Sequence, residues 1–272
     1  MEKFDFAGEY FNPQAVLECG QVFRFKKHKQ GYLAFSGDKA CYIYADGNKT
    51  CVLSDDSNYF WNYFDLDRDY SEIVEKVKSY NIPLLSDSIE KSKGLRILNQ
   101  NREETLYSFI ISQNNNIPRI KGIIEKICVG LGEKRVFDGE EYYSFPTSKK
   151  LATADREFFK GCGAGYRDIF LAETSKRIAA EGFSLDGNSP DLRDKLISSK
   201  GVGPKVADCV ALFAFHNAAA FPVDTWIEKI YLEDFNGTPA SREKITKYFT
   251  GLFGEYSGYV QQYLFYAKRD NL

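Results

Sequence analysis

Residues 196–209 read Leu196-Ile-Ser-Ser-Lys-Gly201-Val-Gly203-Pro-Lys205-Val-Ala-Asp-Cys209, and this stretch decides the fold of the second half of the chain. A helical pattern ends before Gly201, and Pro204 suits the first position of a new helix because its φ is already helical. The two glycines let the backbone approach another group closely, and the N–H groups at a helix start suit a phosphate. On this segment alone, a plain turn between two helices stays open as an alternative.

Two charged residues each fall at a predicted helix start. Lys205 lies in the first turn of its helix, where a cation is disfavoured by roughly 0.3–1 kcal/mol, so the position suits a nucleophilic amine better than a structural lysine. Asp224, within Phe221-Pro-Val-Asp-Thr-Trp226, occupies an N-cap position. Together the two residues indicate an amine nucleophile beside a carboxylate. A solvated lysine and a simple capping aspartate are the alternatives.

Composition bounds the class of protein. The chain has 272 residues, of which 43% are hydrophobic and 27% charged, a balance that predicts a packed core rather than disorder. The length fits one large domain or two. With 36 Lys+Arg against 38 Asp+Glu, the net charge is −2. This charge excludes a uniformly basic DNA-coating protein and leaves room for a local basic groove.

Cysteine and histidine spacing argues against a metal site. The two histidines, His28 and His216, are far apart, and no two cysteines lie within four residues of each other, so we expect no zinc finger, no metal and no organic cofactor. Unpatterned cysteines in a chain of this length predict reduced thiols and a cytoplasmic location, associated with the nucleoid if the cell is prokaryotic. No apolar signal core and no run long enough to span a membrane is present in the sequence. The six cysteines are Cys19, Cys41, Cys51, Cys128, Cys162 and Cys209.

Hydrophobic periodicity predicts an α+β fold, with an N-terminal antiparallel β-sheet followed by a mostly α-helical region. Short aromatic and β-branched runs alternate with turn sequences such as Asp46-Gly47-Asn48, which predicts a sheet over about residues 15–55. From about residue 68 the apolar spacing becomes helical. The predicted strands are 21–25, 32–35, 40–44 and 50–53, and the later predicted helices are 154–159, 166–181, 190–198, 204–216, 225–233, 241–252 and 256–269.

The same change of period predicts the domain organisation. We expect a β-rich domain with flanking helices over residues 1–100 and a helical region over 101–272. The helical region is expected to comprise two subdomains, one at about 147–200 and one formed by 101–146 plus 201–272.

The order of motifs resembles a known superfamily. A helix, a Gly-Val-Gly hairpin, a helix with Lys205 and then Pro222-Val-Asp224 resembles the signature of the helix-hairpin-helix (HhH-GPD) DNA glycosylases. Further segments, in order from about residue 15 to residue 268, resemble the 8-oxoguanine DNA glycosylase/AP lyases within it. The absence of a C-terminal cysteine cluster argues against the iron–sulfur relatives. The further segments are Gly20-Gln-Val-Phe-Arg24, Asn114-Asn-Asn-Ile-Pro-Arg-Ile120, Gly165-Tyr-Arg167 and Gln261 to Phe265.

The resemblance implies a bifunctional enzyme that excises 8-oxoguanine opposite cytosine from double-stranded DNA, acting as a monomer in base excision repair. The family's nucleophile falls on Lys205, whose amine would attack C1′ and leave a Schiff base that undergoes β-elimination. The family's aspartate falls on Asp224, which would stabilise positive charge. Gly201 and Gly203 would hold a backbone phosphate.

The resemblance also implies a pocket for the flipped base. Cys209 and Phe265 match its two faces, Gln261 matches the contact to the Watson–Crick edge, and Gly20 matches the glycine whose carbonyl accepts from N7–H. Only the oxidised base carries that hydrogen. Without the resemblance, Cys209 and Phe265 are equally typical of core residues.

The opposite strand has its own expected contacts. Asn114 and Tyr166 match residues that fill and wedge the gap left by flipping, and Arg119 and Arg167 match the arginines that bind the estranged cytosine. The alternatives are a polar loop between two helices and simple phosphate contacts.

The chain departs from the family pattern in places. Trp226 stands where many members have a histidine, and Lys268 stands where those members have the aspartate that pairs with that histidine.

Two other functions remain as alternatives at this point. One is a monofunctional alkylated-base glycosylase on the same fold, which would need only the aspartate and water. The other is a non-enzymatic helix-hairpin-helix DNA-binding protein.

Overall fold

The computed structural model describes residues 1–269, which form a small sheet followed by a largely helical body. The strands are β1 Glu2–Ala7, β2 Phe25–His28, β3 Gly31–Ser36, β4 Lys39–Asp46, β5 Lys49–Ser54, β6 Lys134–Phe137 and β7 Glu140–Tyr143. The helices are α1 Pro13–Glu18, α2 Ser57–Tyr63, α3 Tyr70–Lys78, α4 Pro83–Lys91, α5 Arg102–Ser112, α6 Ile117–Leu131, α7 Ser148–Leu151, α8 Arg156–Gly161, α9 Asp168–Glu181, α10 Leu192–Ile197, α11 Pro204–Ala214, α12 Thr225–Glu233, α13 Arg242–Phe253 and α14 Ser257–Arg269, with 3₁₀ turns at Gly165–Arg167 and Gly254–Tyr256.

The predicted α+β class and antiparallel sheet are confirmed. The sheet has the order β1-β5-β4-β3-β2, and every neighbouring pair is antiparallel. Gly37 and Gly47 begin two of its three tight turns, with φ of 60° and 58° that glycine adopts without strain. One sheet face packs on α1 and α2 in a core that includes Phe11, Leu17 and Phe60.

The start of the predicted sheet region is wrong. Residues 13–18, which overlap its first positions, form helix α1, and strand β2 begins at Phe25, not at Gln21. Gln21 is fully buried, and its side-chain amide donates to the carbonyls of Val16 and Arg96 while its oxygen accepts from the N–H of Leu98. These bonds hold residues 21–24 in a loop. Strand β1 was not predicted, although Phe4 and Phe6 alternate with polar residues.

The helical region follows the predicted pattern closely. Helix α12 has the predicted bounds, and most of the other predicted helices differ by one to three residues at an end. For example, α8 begins two residues later than predicted because Asp155 caps it, accepting from the N–H of Phe158 at 2.9 Å. The hairpin β6–β7, with its Asp138-Gly139 turn, was missed.

One large core joins segments from both parts of the chain. It includes Phe23, from just before β2, together with Phe109 of α5, Val210 of α11 and Leu264 of α14. The proposed division at residues 100/101 stays a prediction. No helix within residues 1–269 combines the length and apolarity needed to cross a membrane.

Candidate active site

The hairpin before α11 uses its two glycines differently. Gly201 has φ +77°, and a Cβ there would lie 2.3 Å from the Phe170 ring, so the fold requires glycine. Gly203 is the N-cap of α11 in extended backbone, makes no side-chain cap, and has no atom within 4 Å of an added Cβ. Residues 203–206 line a groove, so the start of α11 borders open space, where an anion could approach.

Lys205 lies in the first turn of α11 and is half-buried. Its ammonium is 5.6 Å from the centroid of the Phe109 ring. One turn further along, Cys209 is 3% exposed. Burial raises the pKa of the Cys209 thiol to about 11, and the nearby Lys205 charge opposes that rise. The predicted proximity of Lys205 and Cys209 on one helix face is confirmed.

Asp224 is the N-cap of α12. Its Oδ1 accepts from the backbone N–H groups of Trp226 and Ile227, both at 3.0 Å. Asp224 and Lys205 line the same small cavity although they begin different helices. The structure therefore places an amine and a fixed carboxylate at one site.

This cavity also brings together all four predicted base-binding residues. Its volume is about 40 Å³, and it opens on a groove of about 940 Å³. Gly20, Phe109, Lys205, Asp224 and Phe265 line both spaces. The walls of the small cavity, called the base pocket below, are Gly20, Phe109, Lys205, Cys209, Phe213, Pro222, Asp224, Gln261, Gln262 and Phe265.

The groove contains part of the predicted opposite-strand set. Asn114 and Tyr166 line it, together with Gly203, which is predicted to bind a phosphate. Tyr166 is 52% exposed, and Asn114 is exposed with a left-handed φ of 44°. An exposed aromatic ring and an exposed amide at the groove edge are suited to enter a gap in a base stack.

The two predicted arginines differ, and neither lines the groove. Arg167 is 2% exposed, and its guanidinium donates to the backbone carbonyls of Gln113, Asn114 and Ala164. Arg119 is exposed, and its Nη2 donates to the carbonyl of Gly163 at 3.1 Å. In this state Arg167 supports the loop that presents Asn114, whereas Arg119 lies at the surface.

Several wall residues were not predicted as site residues. Phe109 was identified only as part of a helical stripe, yet it faces the Lys205 ammonium. Gln262 donates to Oε1 of Gln261 at 2.7 Å and so orients that amide. Gln113 donates to the carbonyl of Gly201 at 2.8 Å and ties α5 to the hairpin. Phe109, Gln262 and Gln113 each contribute by contacting a residue distant in sequence or the side chain of a neighbour. Such contacts leave no local pattern in the sequence.

No metal centre accompanies these groups in the described part of the chain. Within residues 1–269, no three His, Cys, Asp or Glu side chains converge as a metal-binding group.

Comparison with known proteins places the chain in a family. Residues 3–106 match the family described as 8-oxoguanine DNA glycosylase, N-terminal domain. A probable N-glycosylase/DNA lyase of Methanothermobacter thermautotrophicus is 33% identical over 234 residues, which cover 77% of this chain and 72% of that protein. The chain belongs to the 8-oxoguanine DNA glycosylase family. This confirms the resemblance derived from the motifs.

Other relatives of this 8-oxoguanine DNA glycosylase family member agree. The crystal structure of Clostridium acetobutylicum 8-oxoguanine glycosylase/lyase with dsDNA containing cytosine opposite to 8-oxoG has a TM-score of 0.90 and 36% identity, covering 97% of this chain and 94% of that one. The N-glycosylase/DNA lyase of Saccharomyces cerevisiae is 33% identical over 212 residues, or 64% of this chain. The match spans only 56% of the yeast protein.

The family's histidine–aspartate pair has no direct substitute here. Trp226 is half-buried in the groove wall, with the Lys229 ammonium 5.1 Å from its ring centroid. Lys268 instead forms ion pairs with Glu233 and Asp234, at 3.0 and 3.1 Å, where α12 ends. Position 226 therefore contributes a ring to the groove, and position 268 fastens α14 to α12.

Proposed function

We propose that this protein is a bifunctional DNA glycosylase/AP lyase that excises 8-oxoguanine opposite cytosine from double-stranded DNA in base excision repair. The observation that carries the proposal is the convergence of Lys205 and Asp224 on the base pocket. The same pocket contains Gly20, Gln261 and Phe265. A DNA-binding module alone has no need of an amine and a carboxylate in one half-buried pocket.

The chemistry follows from the two helix starts. The Lys205 amine forms a bond to C1′ while the glycosidic bond breaks, and the departing base takes up a proton. Asp224, fixed by its cap bonds, stabilises the positive charge that develops on the sugar and the amine. The C1′–O4′ bond then breaks as the lysine nitrogen forms a double bond to C1′, and O4′ takes up a proton, which gives the Schiff base. Loss of a C2′ proton then expels the 3′ phosphate.

Base selection is assigned to the pocket walls. The Gly20 carbonyl accepts from N7–H, the Gln261 amide contacts the Watson–Crick edge, and Cys209 and Phe265 enclose the ring faces. The base pocket, with a volume of about 40 Å³, opens on the groove, and we expect it to widen when the flipped base enters. Phe265, which lines both the pocket and the groove, is the wall through which we expect it to open.

The remaining assignments concern the DNA around the lesion. Asn114 and Tyr166 fill the gap in the stack, and Arg119 and Arg167 read the estranged cytosine. The hairpin glycines Gly201 and Gly203 hold a backbone phosphate. We further propose that the enzyme acts as a monomer without a cofactor and works in the cytoplasm, at the nucleoid if the cell is prokaryotic.

Borohydride trapping tests the function directly. Wild-type protein and a duplex with 8-oxoguanine opposite cytosine should give a covalent adduct, and Lys205→Gln should give none while still binding the duplex. Lys200→Gln is the matched control, because Lys200 lies in the same hairpin and pairs with Glu173 at 3.6 Å. A monofunctional glycosylase would release the base without an adduct, and a non-enzymatic binder would do neither. An adduct with Lys205→Gln would assign the nucleophile to another amine.

A further inference from the structure

Arg269, the last residue of α14, lies against two walls of the base pocket. Its Nη2 donates to the carbonyl of Glu18 at 2.7 Å, at the end of α1 and two residues before Gly20. Its guanidinium carbon is 5.5 Å from the centroid of the Phe265 ring, one helical turn away on α14. Arg269 thus connects the segment carrying Gly20 with the helix carrying Phe265.

The three residues are in close contact at the pocket entrance. A Cβ built on Gly20 would lie 3.0 Å from Nη1 of Arg269 and 3.4 Å from Cε1 of Phe265. Gly20 has φ +90°, so its carbonyl direction depends on a backbone conformation that other residues rarely adopt. Arg269 also lines the groove.

We propose that Arg269 is a positioning residue that sets the separation between Gly20 and Phe265, and so the fit of the oxidised base between them. This inference rests on the proposed glycosylase function. A planar guanidinium suits the role, because it donates to a carbonyl at one edge while its face lies on an aromatic ring. Lysine retains the charge but has no planar face to lie on the ring.

If Arg269 positions the pocket walls, its loss should affect base excision and β-elimination differently. Excision needs the base to fit the pocket, whereas β-elimination at a preformed abasic site needs Lys205 but no base. Because a misplacement of about 1 Å can cost about 10²-fold in rate, Arg269→Ala should slow single-turnover excision at least about 10-fold and change β-elimination by less than about two-fold. Measuring both rates on one preparation makes their ratio independent of the folded fraction.

Two further variants separate geometry from charge. Lys268→Ala is the control, since Lys268 is the neighbouring cation and pairs with Glu233 and Asp234 instead. It should keep the wild-type ratio of excision to β-elimination. Arg269→Lys should show the same selective loss as Arg269→Ala, because the charge remains but the planar contact is gone.

Two outcomes would overturn the role of Arg269. An equal loss of both activities in Arg269→Ala, restored by Arg269→Lys, would make Arg269 a phosphate contact. An unchanged ratio in Arg269→Ala would mean that the separation of Gly20 and Phe265 does not depend on it. Both outcomes presuppose a wild-type enzyme that excises 8-oxoguanine; absence of that excision would instead refute the proposed function.

Discussion

At the scale of single residues, Asp224 divides two tasks between its carboxylate oxygens. Oδ1 accepts both cap bonds from the start of α12. Oδ2 accepts no hydrogen bond from the residues that the structure describes, and the side chain borders the base pocket. The cap therefore fixes the orientation of the side chain, and one oxygen is left to face developing positive charge.

Asp224→Asn should separate these two tasks. Asparagine caps a helix nearly as well as aspartate, whereas losing a cap costs about 0.5–2 kcal/mol, so the melting temperature should change little. Removal of one preorganised electrostatic group typically costs about 10²–10³-fold in rate, and we expect a loss of that order in single-turnover excision. Asp155→Asn, which changes the N-cap of α8, is the control. A fully active Asp224→Asn enzyme would reduce Asp224 to a cap.

Arg119 provides the second prediction at this scale. Cytosine presents O2 and N3 as acceptors to guanidinium donors, whereas adenine places an amino donor beside N1. A good bidentate contact discriminates by roughly 1–3 kcal/mol, so wild-type enzyme should cut 8-oxoguanine faster opposite cytosine than opposite adenine. Arg119→Ala should narrow that gap, as measured by single-turnover rates on duplexes with each of the four opposite bases.

Thermal stability distinguishes the two arginines. Arg167 donates to three backbone carbonyls, so Arg167→Ala should lower the melting temperature, while exposed Arg119→Ala should not. A uniform loss across all four duplexes with Arg119→Ala would indicate phosphate contact instead of base reading.

At the scale of elements, the sequence predicts correctly those helix boundaries that a few neighbouring residues determine. Pro204 and Asp224 each sit at a helix start whose capping pattern is readable from a few neighbouring residues, and both helices begin where expected. The run at 21–25 was predicted as a strand because Val22 and Phe23 favour one. Residues 21–24 instead form a loop because Gln21 bonds to Arg96 and Leu98, more than seventy positions away.

The same distinction applies to the site. Lys205 and Asp224 could be identified from helix starts, and motif order placed Gln261 and Phe265. Phe109 and Arg269 reach the pocket only through the packing of α5 and α14 against other elements, so periodicity assigned Phe109 to the core and gave no signal for Arg269. The Asp138-Gly139 turn, by contrast, is a local hairpin signal, although no strand is predicted on either side of it.

The hairpin before α11 can be tested by comparing its two glycines. Gly201→Ala places a Cβ 2.3 Å from the Phe170 ring at positive φ, so it should destabilise the fold. Gly203→Ala meets no atom within 4 Å in the free protein and should change the unfolding free energy by at most about 1 kcal/mol. If a phosphate occupies the start of α11, however, Gly203→Ala should weaken DNA binding.

Salt titration measures that contact. Each neutralised phosphate contributes a slope of about −0.9 in log K against log salt, and we expect wild-type binding to fall steeply despite the net charge of −2. Gly203→Ala should weaken binding to intact and damaged duplex alike, since the phosphate carries no base information. Unaltered affinity in Gly203→Ala, or a flat wild-type salt dependence, would remove the hairpin from the DNA interface.

At the scale of the whole molecule, the base pocket depends on contact between the sheet region and the helices. Gly20 comes from the N-terminal part, while Phe109, on α5, faces Lys205 from the helical part. Arg24 and Glu104, each 7% exposed, form an ion pair between these parts at 3.1 Å. Arg24 also donates to the carbonyls of Gly37 and Tyr143, and Glu104 accepts from the N–H of Gly37. The pair therefore ties the β3–β4 turn, α5 and β7 together.

Breaking this pair should cost stability in a pH-dependent way. Arg24→Met leaves the Glu104 carboxylate buried without its partner, a change that typically costs about 3–5 kcal/mol. Burial already raises the pKa of Glu104 and Arg24 opposes that rise, so the pKa should be higher still in the variant. A carboxyl whose folded-state pKa exceeds its unfolded value takes up a proton on folding, and stability then falls as pH rises through that window. The deficit in melting temperature should accordingly be smaller near pH 5 than near pH 8.

In a Glu104→Gln background, the effect of Arg24→Met should be smaller and nearly independent of pH, because no carboxylate remains to be buried. A deficit in the single variant that stays constant from pH 5 to 8 would show that Arg24 stabilises the junction through its carbonyl contacts and not through Glu104.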